Sequence, residues 1–247
     1  MTHPAIQTDN LTRRYGANVV VNDLTLEVPQ GEIFGFLGHN GAGKTTTISM
    51  LTTLLLPTSG SAAIFGADIV KDNLQVREYI GYVPENVRLY NDLTVAENLH
   101  FFAALSGVND IPHRISKILE LLGHPEWRNL RVGGLSKGMR QRIGIAQALL
   151  HQPLILFLDE STSGLDPEGT QAIGDLIVWL NSEFGITIFM NTHQLAEVTK
   201  LCTSIGIMNH GRLVMADNLQ NILAHFPNHH SLEEIYLDVE HQERPAA

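Results

Sequence analysis

The chain has 247 residues, 16 basic and 26 acidic, for a formal net charge of −10 at pH 7, with 44% hydrophobic and 17% charged side chains. That is globular composition, which excludes disorder as the main state, and the acidic balance argues against a nucleic-acid binder, whose affinity rests on neutralising phosphates. The single Cys202 excludes an internal disulfide, no apolar run reaches the roughly 18 residues of a membrane span, and Met1-Thr2-His3-Pro4 does not open a secretory leader, so the sequence reads as cytoplasmic and any membrane role needs a partner that supplies the span.

Residues 18–22 and 24–28 carry β-branched side chains and predict strands, closed by the turn signal Pro29-Gln30-Gly31. Residues 32–37 form a mostly apolar run too short for a helix, which predicts a buried strand. A glycine-rich stretch at 38–43 follows, then helical apolar spacing over 44–56, stopped by Pro57. Residues 60–83 read as short strands with a brief helix near 74–79. From 93 to 122 the pattern is helical, with Val95, Leu99, Phe102 and Leu105 spaced three to four apart and a second helix over 112–122. A third helix spans 138–150, ended by Pro153. Strand and helix then alternate: strand 154–158, helix near 168–184, strand 186–191. Such alternation predicts a mostly parallel sheet covered by helices, with 86–150 as a helical insert. Residues 204–208 and 212–215 flank Asn209-His210-Gly211, a hairpin signal. The last twenty residues are polar and predict a frayed tail, and only one copy of the whole pattern is present.

Two stretches carry chemistry. Gly38-His39-Asn40-Gly41-Ala42-Gly43-Lys44-Thr45 fits G-x-x-x-x-G-K-[ST] and stands between a predicted strand and a predicted helix. The glycines let backbone N–H groups turn around phosphate oxygens, and the helix N-terminus adds positive potential. Lys44 is placed to reach the β- and γ-phosphates, the Thr45 hydroxyl to ligate Mg²⁺ and Thr46 to donate to the α-phosphate. The plainer alternative is a glycine-rich turn in an unrelated α/β protein. Further on, Leu154-Ile155-Leu156-Phe157-Leu158-Asp159-Glu160 ends a buried strand in two carboxylates, where ligands of open α/β sheets bind. Asp159 suits Mg²⁺ through water, and Glu160 is the candidate base for the attacking water. A solvated turn explains such a pair when it stands alone; the phosphate loop upstream favours chemistry.

Leu135-Ser136-Lys137-Gly138-Met139-Arg140-Gln141-Arg142 precedes that pair. It resembles the signature motif L-S-G-G-Q of the ATP-binding-cassette (ABC) ATPases, with Lys137 at the third position and Met139 at the fifth, a form similar to exporter-type cassettes. The resemblance spans about residues 5–225. It implies a P-loop NTPase of α/β class: a RecA-like mixed-sheet core with an antiparallel β subdomain and a helical subdomain at about 86–150, all within 1–225, followed by a short tail over 226–247. It implies that ATP and Mg²⁺ bind at Gly38, Asn40, Gly41, Ala42, Gly43, Lys44, Thr45 and Thr46. Tyr15 matches the aromatic that stacks on adenine, and Ser136 and Gly138 match residues that bind the γ-phosphate of ATP held by an opposite subunit. Asp166, in Ser161-Thr162-Ser163-Gly164-Leu165-Asp166, matches a subunit-contact position. His193 matches the switch histidine on the γ-phosphate. Glu85 stands where the family has a glutamine; metal or water contact and a plain structural role both remain open for it.

The family likeness implies an ATP-hydrolysing subunit, peripheral on the cytoplasmic face of the membrane. It would drive transport, in the export direction, through a separate transmembrane permease and pair with a second nucleotide-binding subunit, a second copy of itself or a paralogue. A translation or DNA-repair ATPase of the same class is the alternative, weakened by the single cassette, the short insert and the acidic charge. A phosphate-loop kinase does not explain Ser136 to Gly138 or His193. A metal role for His225, His229 and His230 is the weakest reading, since polar histidines of this kind are usually solvated.

Overall fold

The first strands alternate buried and exposed side chains, as a sheet with one wet face requires. In the computed structural model, which describes residues 3–226 and 231–242, β1 (Ile6–Tyr15) and β2 (Asn18–Val28) form a long antiparallel pair. The two strands expected over 18–28 are one. Asp23 adopts a left-handed conformation (φ 52°) where the register shifts between the Leu11–Leu24 and Arg13–Val21 pairs. Its N–H donates to the Thr12 hydroxyl at 3.0 Å, so the bulge is bonded rather than broken.

β3 (Ile33–Leu37) is buried throughout, as a central parallel strand is. It feeds the glycine loop and α1 (Lys44–Leu51), which ends well short of the expected residue 56. The Thr52 hydroxyl bonds back to the Ile48 carbonyl at 2.7 Å, Thr53 turns left-handed (φ 61°), and the N–H groups of Leu54 and Leu55 both return to the Ser49 carbonyl. Two successive β-branched residues with back-bonding hydroxyls stop the helix, and the leucines that mimicked its continuation lie in a turn, Leu54 and Leu56 exposed. β4 (Ser59–Ile64) and β5 (Ala67–Asp68) complete a four-stranded antiparallel sheet, β2-β1-β4-β5.

After α2 (Asn73–Tyr79) and β6 (Ile80–Val83), the helical stretch resolves into α3 (Val95–Leu105), α4 (Ile111–Leu121) and α5 (Lys137–Ala148). Thr94 and Glu97 close a capping box at the start of α3. The alternating half follows: β7 (Ile155–Asp159), α6 (Pro167–Phe184), β8 (Thr187–Asn191), α7 (Leu195–Leu201), β9 (Ser204–Asn209), β10 (Arg212–Asn218) and α8 (Leu219–His225). The second sheet runs β10-β9-β3-β8-β7-β6, parallel except for the predicted β9–β10 hairpin.

This mixed sheet divides the core. Ile33, Leu37, Leu156, Leu158, Ile188 and Met190 pack on the helical side. Phe34, Phe36, Phe157 and Phe189 pack on the other, with Ile48 and Met50 of α1 and the inner face of the antiparallel sheet. The Phe189 ring centre lies 5.3, 5.2 and 5.4 Å from those of Phe34, Phe36 and Phe157. Cys202 is buried and its thiol is pushed up to about 12, chiefly by burial, with Glu197 adding; it is a packing residue rather than a nucleophile.

The expected frayed tail is instead, in its described part, α9 (Leu232–Gln242). Leu232 and Ile235 are buried in the helical-side core, a spacing of three that polar overall composition conceals. Replacing Ile235 by Ala is expected to lower unfolding free energy by about 2–4 kcal/mol in denaturant titration; an unchanged midpoint would show that α9 does not belong to the cooperative unit.

Candidate functional site

The period-two alternation of strands carries the aromatic core directly into a polar cluster. Phe157 and Phe189 face α1, so Asp159 and Asn191, two residues on, face the same side. β7–β8 pairing sets them opposite each other. Asn191 Nδ2 donates to Asp159 Oδ1 at 2.5 Å, and Thr45 Oγ1 approaches the same oxygen at 3.4 Å from the start of α1. The Tyr82 hydroxyl stands 3.5 Å from the other oxygen. Burial pushes the Tyr82 phenol up to about 12, with Asp159 adding, so it stays a donor. Asn191 and Tyr82 were not singled out from sequence; the alternation that points Asp159 inward also points Asn191.

The loop before α1 is shaped by close backbone approach. A Cβ on Gly38 (φ 153°) would lie 2.3 Å from the Met208 carbonyl, and one on Gly43 (φ 107°) 2.5 Å from the Val20 carbonyl, so only glycine fits at either position. Ala42 is fully buried behind the loop. No side chain caps α1, which leaves its first-turn N–H groups for an anion. Lys44 is buried, and its ammonium donates to the carbonyls of Gly38 (2.5 Å) and His39 (3.1 Å). Burial holds its proton affinity below the ordinary lysine value, and the opposing charges of Glu160 and Asp159 partly restore it.

Beside this loop opens a cleft of about 320 Å³ whose walls include Asn40, Gly41, Gly43, Lys44, Thr45, Thr46, Glu85, Glu160, Asn191 and His193. Sequence elements from four separate regions thus meet in one place. Glu160 holds a left-handed backbone (φ 51°), a conformation costing about 1–3 kcal/mol for a non-glycine residue. It is fixed from two sides: its N–H donates to the Asn191 carbonyl at 2.9 Å, and its Oε2 meets His193 Nδ1 at 2.7 Å. The Glu160 side chain is 15% exposed and that of His193 53%, so the pair sits at the mouth of the cleft. Ser163 also lines the wall.

The donor set suits Mg²⁺, a cation that takes oxygen ligands and keeps waters. Thr45 Oγ1 and Asp159 converge, and Asn191, whose amide nitrogen bonds Asp159, has its Oδ1 buried with no hydrogen-bond donor. Among the described residues no three His, Cys, Asp or Glu side chains gather as a metal site. His225 bonds to the Asn221 carbonyl of its own helix at 2.7 Å; His229 and His230 lie outside the described residues.

Four sequence-selected residues stand apart from this cleft. Tyr15 is half exposed at the end of β1, with the Arg13 guanidinium 4.5 Å over its ring. Ser136 and Gly138 line a second cleft, of about 340 Å³, together with Lys137, Met139, Leu165 and Asp166. Ser136 caps α5 by accepting from the Met139 N–H at 3.2 Å, and Asp166 caps α6 by accepting from the Gly169 N–H at 2.7 Å. One bond joins the two clefts: Lys137 Nζ donates to the Ser163 carbonyl at 2.6 Å.

The chain resembles known proteins over most of its length. The family model described as ABC transporter matches residues 21–163. The chain is similar to the bacitracin transport ATP-binding protein BcrA of Bacillus licheniformis, 44% identical over 209 residues, covering 85% of this chain and 68% of that one. Among solved structures it resembles an ATP-binding subunit of an ABC transporter (TM-score 0.84, 30% identity, 95% of this chain and 99% of that one). It also resembles a dimeric bacterial ABC transporter cassette (TM-score 0.77, 25% identity, 87% and 98%).

Proposed function

Because this chain belongs to the ABC transporter family and is an ATP-binding, ATP-hydrolysing subunit of it, we propose that it powers export through the transmembrane helices of a separate permease, from the cytoplasmic face. The observation that carries the catalytic reading is the meeting of Lys44, Thr45, Glu160 and His193 in one cleft, with Glu160 and His193 in direct contact. No helix among the described residues is long and apolar enough to cross a membrane, in keeping with a partner that does.

In this reading the phosphates of ATP lie on the open first turn of α1, cradled by the backbone of residues 38–43, with Thr46 on the α-phosphate. Lys44 exchanges its two loop carbonyls for β- and γ-phosphate oxygens. Glu160 accepts a proton from, or orients, the water in line with the γ-phosphate. His193 holds the γ-phosphate while its Nδ1 keeps Glu160 aimed. Thr45 and Asp159 would hold Mg²⁺, the carboxylate through water, with Glu85 offering a further oxygen, and the bound ion would supply neutralisation of phosphate charge. In a pair of chains, the α5 N-terminus with Ser136 and Gly138 closes on the γ-phosphate carried by the other copy. Their separation from the phosphate loop of the same chain supports that arrangement.

Residues 1–225 make the cassette, with 86–150 as the helical subdomain that receives the permease. Tyr90, Phe101 and Leu105 are exposed there, the first two rings stacked edge-on at 5.2 Å, an apolar surface of the kind that marks a docking site. The export direction is supported by the exporter-like Lys137 and Met139, and the transport role by the likeness to a bacitracin transport protein. Affinity isolation from membranes is expected to recover a polytopic membrane protein in stoichiometric amount; ribosomal or DNA-repair proteins in its place would overturn the transport reading.

Tyr15 is proposed to stack on adenine, with Arg13 moving aside or covering the far face. Base stacking on an aromatic is worth about 1–3 kcal/mol. Replacing Tyr15 by Ala is therefore expected to weaken ATP while leaving inorganic tripolyphosphate unaffected, as read by calorimetry. Equal loss for both would place Tyr15 in loop structure instead.

A further inference from the structure

One buried carboxylate ties together the two segments that carry Glu160 and His193. Glu197 lies in α7 and is 8% exposed. Its Oε2 accepts from Thr162 Oγ1 at 2.9 Å and from Thr192 Oγ1 at 3.3 Å. Thr162 follows Glu160 by two residues, and Thr192 immediately precedes His193. The Thr192 oxygen also accepts from the Gln194 N–H at 3.0 Å, which leaves its proton free for Glu197. Two links therefore run side by side between the same segments: the direct Glu160–His193 contact at 2.7 Å, and the buried bridge Thr162–Glu197–Thr192 behind it.

The bridge is costly as packing alone. Glu197 Oε1 is buried with no hydrogen-bond partner, and only two neutral hydroxyls meet the other oxygen. Burial raises the proton affinity of this carboxyl above the ordinary glutamate value; the two threonine bonds oppose that shift without cancelling it. An apolar side chain of similar size would fill the same space without that cost. What such a side chain would not do is fix the distance between the turn after β7 and the turn after β8. Glu160 needs that distance fixed, since its left-handed backbone is held only by neighbours.

We infer that Glu197 is a positioning residue: by clamping Thr162 and Thr192 it holds the Glu160–His193 pair in register for attack on the γ-phosphate. The inference rests on the catalytic reading of Glu160. It concerns the chemical step rather than nucleotide binding, because neither threonine lines the nucleotide cleft. Misplacing reacting groups by about 1 Å costs about 100-fold in rate, so the expected signature is a loss in kcat with little change in KM.

The test uses the purified full chain and ATP with Mg²⁺. Glu197→Gln keeps an acceptor oxygen and the shape; Glu197→Leu removes both acceptors. Glu197→Leu is expected to lower kcat at least about tenfold with KM within about threefold, and Glu197→Gln to restore kcat to within about threefold of the parent. Thr162→Val with Thr192→Val breaks the bridge from the other side and should reproduce the loss; added to Glu197→Leu, it should cost nothing more. A folded Glu197→Leu chain with parental kcat would overturn the clamp. So would parental kcat in the double threonine variant, which decides the matter if Glu197→Leu does not fold. Glu160→Gln measured alongside separates the two claims: if it turns over normally, the base assignment has failed, whereas a dead Glu160→Gln beside an unimpaired bridge variant sinks the clamp alone.

Discussion

Glu160→Gln is expected to lower kcat for ATP hydrolysis by about 10² to 10⁴, the worth of a positioned general base, while ATP binding is retained. The substitution keeps most of the local geometry. Glutamine has the same length, can still meet His193 Nδ1, and leaves the Asn191 carbonyl bond to the residue 160 N–H in place. The left-handed backbone is therefore held as before, and the melting temperature should hardly move. What is lost is an oxygen able to take a proton from water. A carboxylate beside the γ-phosphate also repels it, so the amide should bind ATP as well as the parent or better. Turnover at the parental rate would show that Glu160 is not the base.

Lys44→Ala is expected to remove nucleotide affinity rather than turnover alone. The ammonium is the cation held within the phosphate loop, buried and bonded to two loop carbonyls. A hydrogen bond to a charged partner contributes about 1.5–3 kcal/mol, so one such contact to a phosphate corresponds to about a 10- to 150-fold loss in affinity, and more if both β- and γ-phosphates are reached. The loss should grow from AMP to ADP to ATP, because the first lacks the phosphates Lys44 is placed to reach. Unchanged ATP affinity would remove the phosphate-loop reading at its root. The substitution also takes a positive charge away from Asp159 and Glu160, which face Lys44 electrostatically. A melting-temperature control belongs with the binding measurement.

What could be read from the sequence was what is local and periodic. The apolar run before the glycine loop, the run ending in Asp159 and Glu160, and the strand–helix alternation after Pro153 each became the element expected. Those elements put the phosphate loop and the Asp159–Glu160 pair at strand ends, where an open α/β sheet binds ligands, whereas Glu85 and His193 came only from the family likeness. The misreadings have local physical causes as well. Leu54 and Leu56 continued the apolar spacing of α1, but Thr52 and Thr53 had already terminated it through a back-bonded hydroxyl and a left-handed turn. Leu232 and Ile235 bury one face of a helix in a segment whose composition is otherwise polar.

The tertiary part of the site was not legible. Thr162 and Thr192 sit inside stretches the family likeness had marked, but for Asp166 and His193 rather than for the threonines; Glu197 lies in no motif, and the three meet only through the packing of α7 beside the ends of β7 and β8. The Lys137 bond to the Ser163 carbonyl is of the same kind. Lys137 was visible as a departure from the family pattern, but its partner is set by how α5 approaches the loop before α6. Asn191 is an intermediate case: strand alternation predicts its face, and only sheet pairing reveals that Asp159 stands opposite.

In the proposed mechanism a working site is made by two copies, the phosphate loop of one and Ser136 to Gly138 of the other. Mixing two defective chains tests it most directly. A Lys44→Ala chain keeps its signature residues, and a Ser136→Arg chain keeps its phosphate loop. Each alone should be nearly inactive, since every site in a symmetric pair is broken. Random mixing restores one intact composite site in each mixed pair, so hydrolysis should recover to about one quarter of the parental rate. No recovery on mixing two folded chains, or full activity of the Ser136→Arg chain alone, would contradict the shared site and leave the phosphate loop of each chain to act by itself.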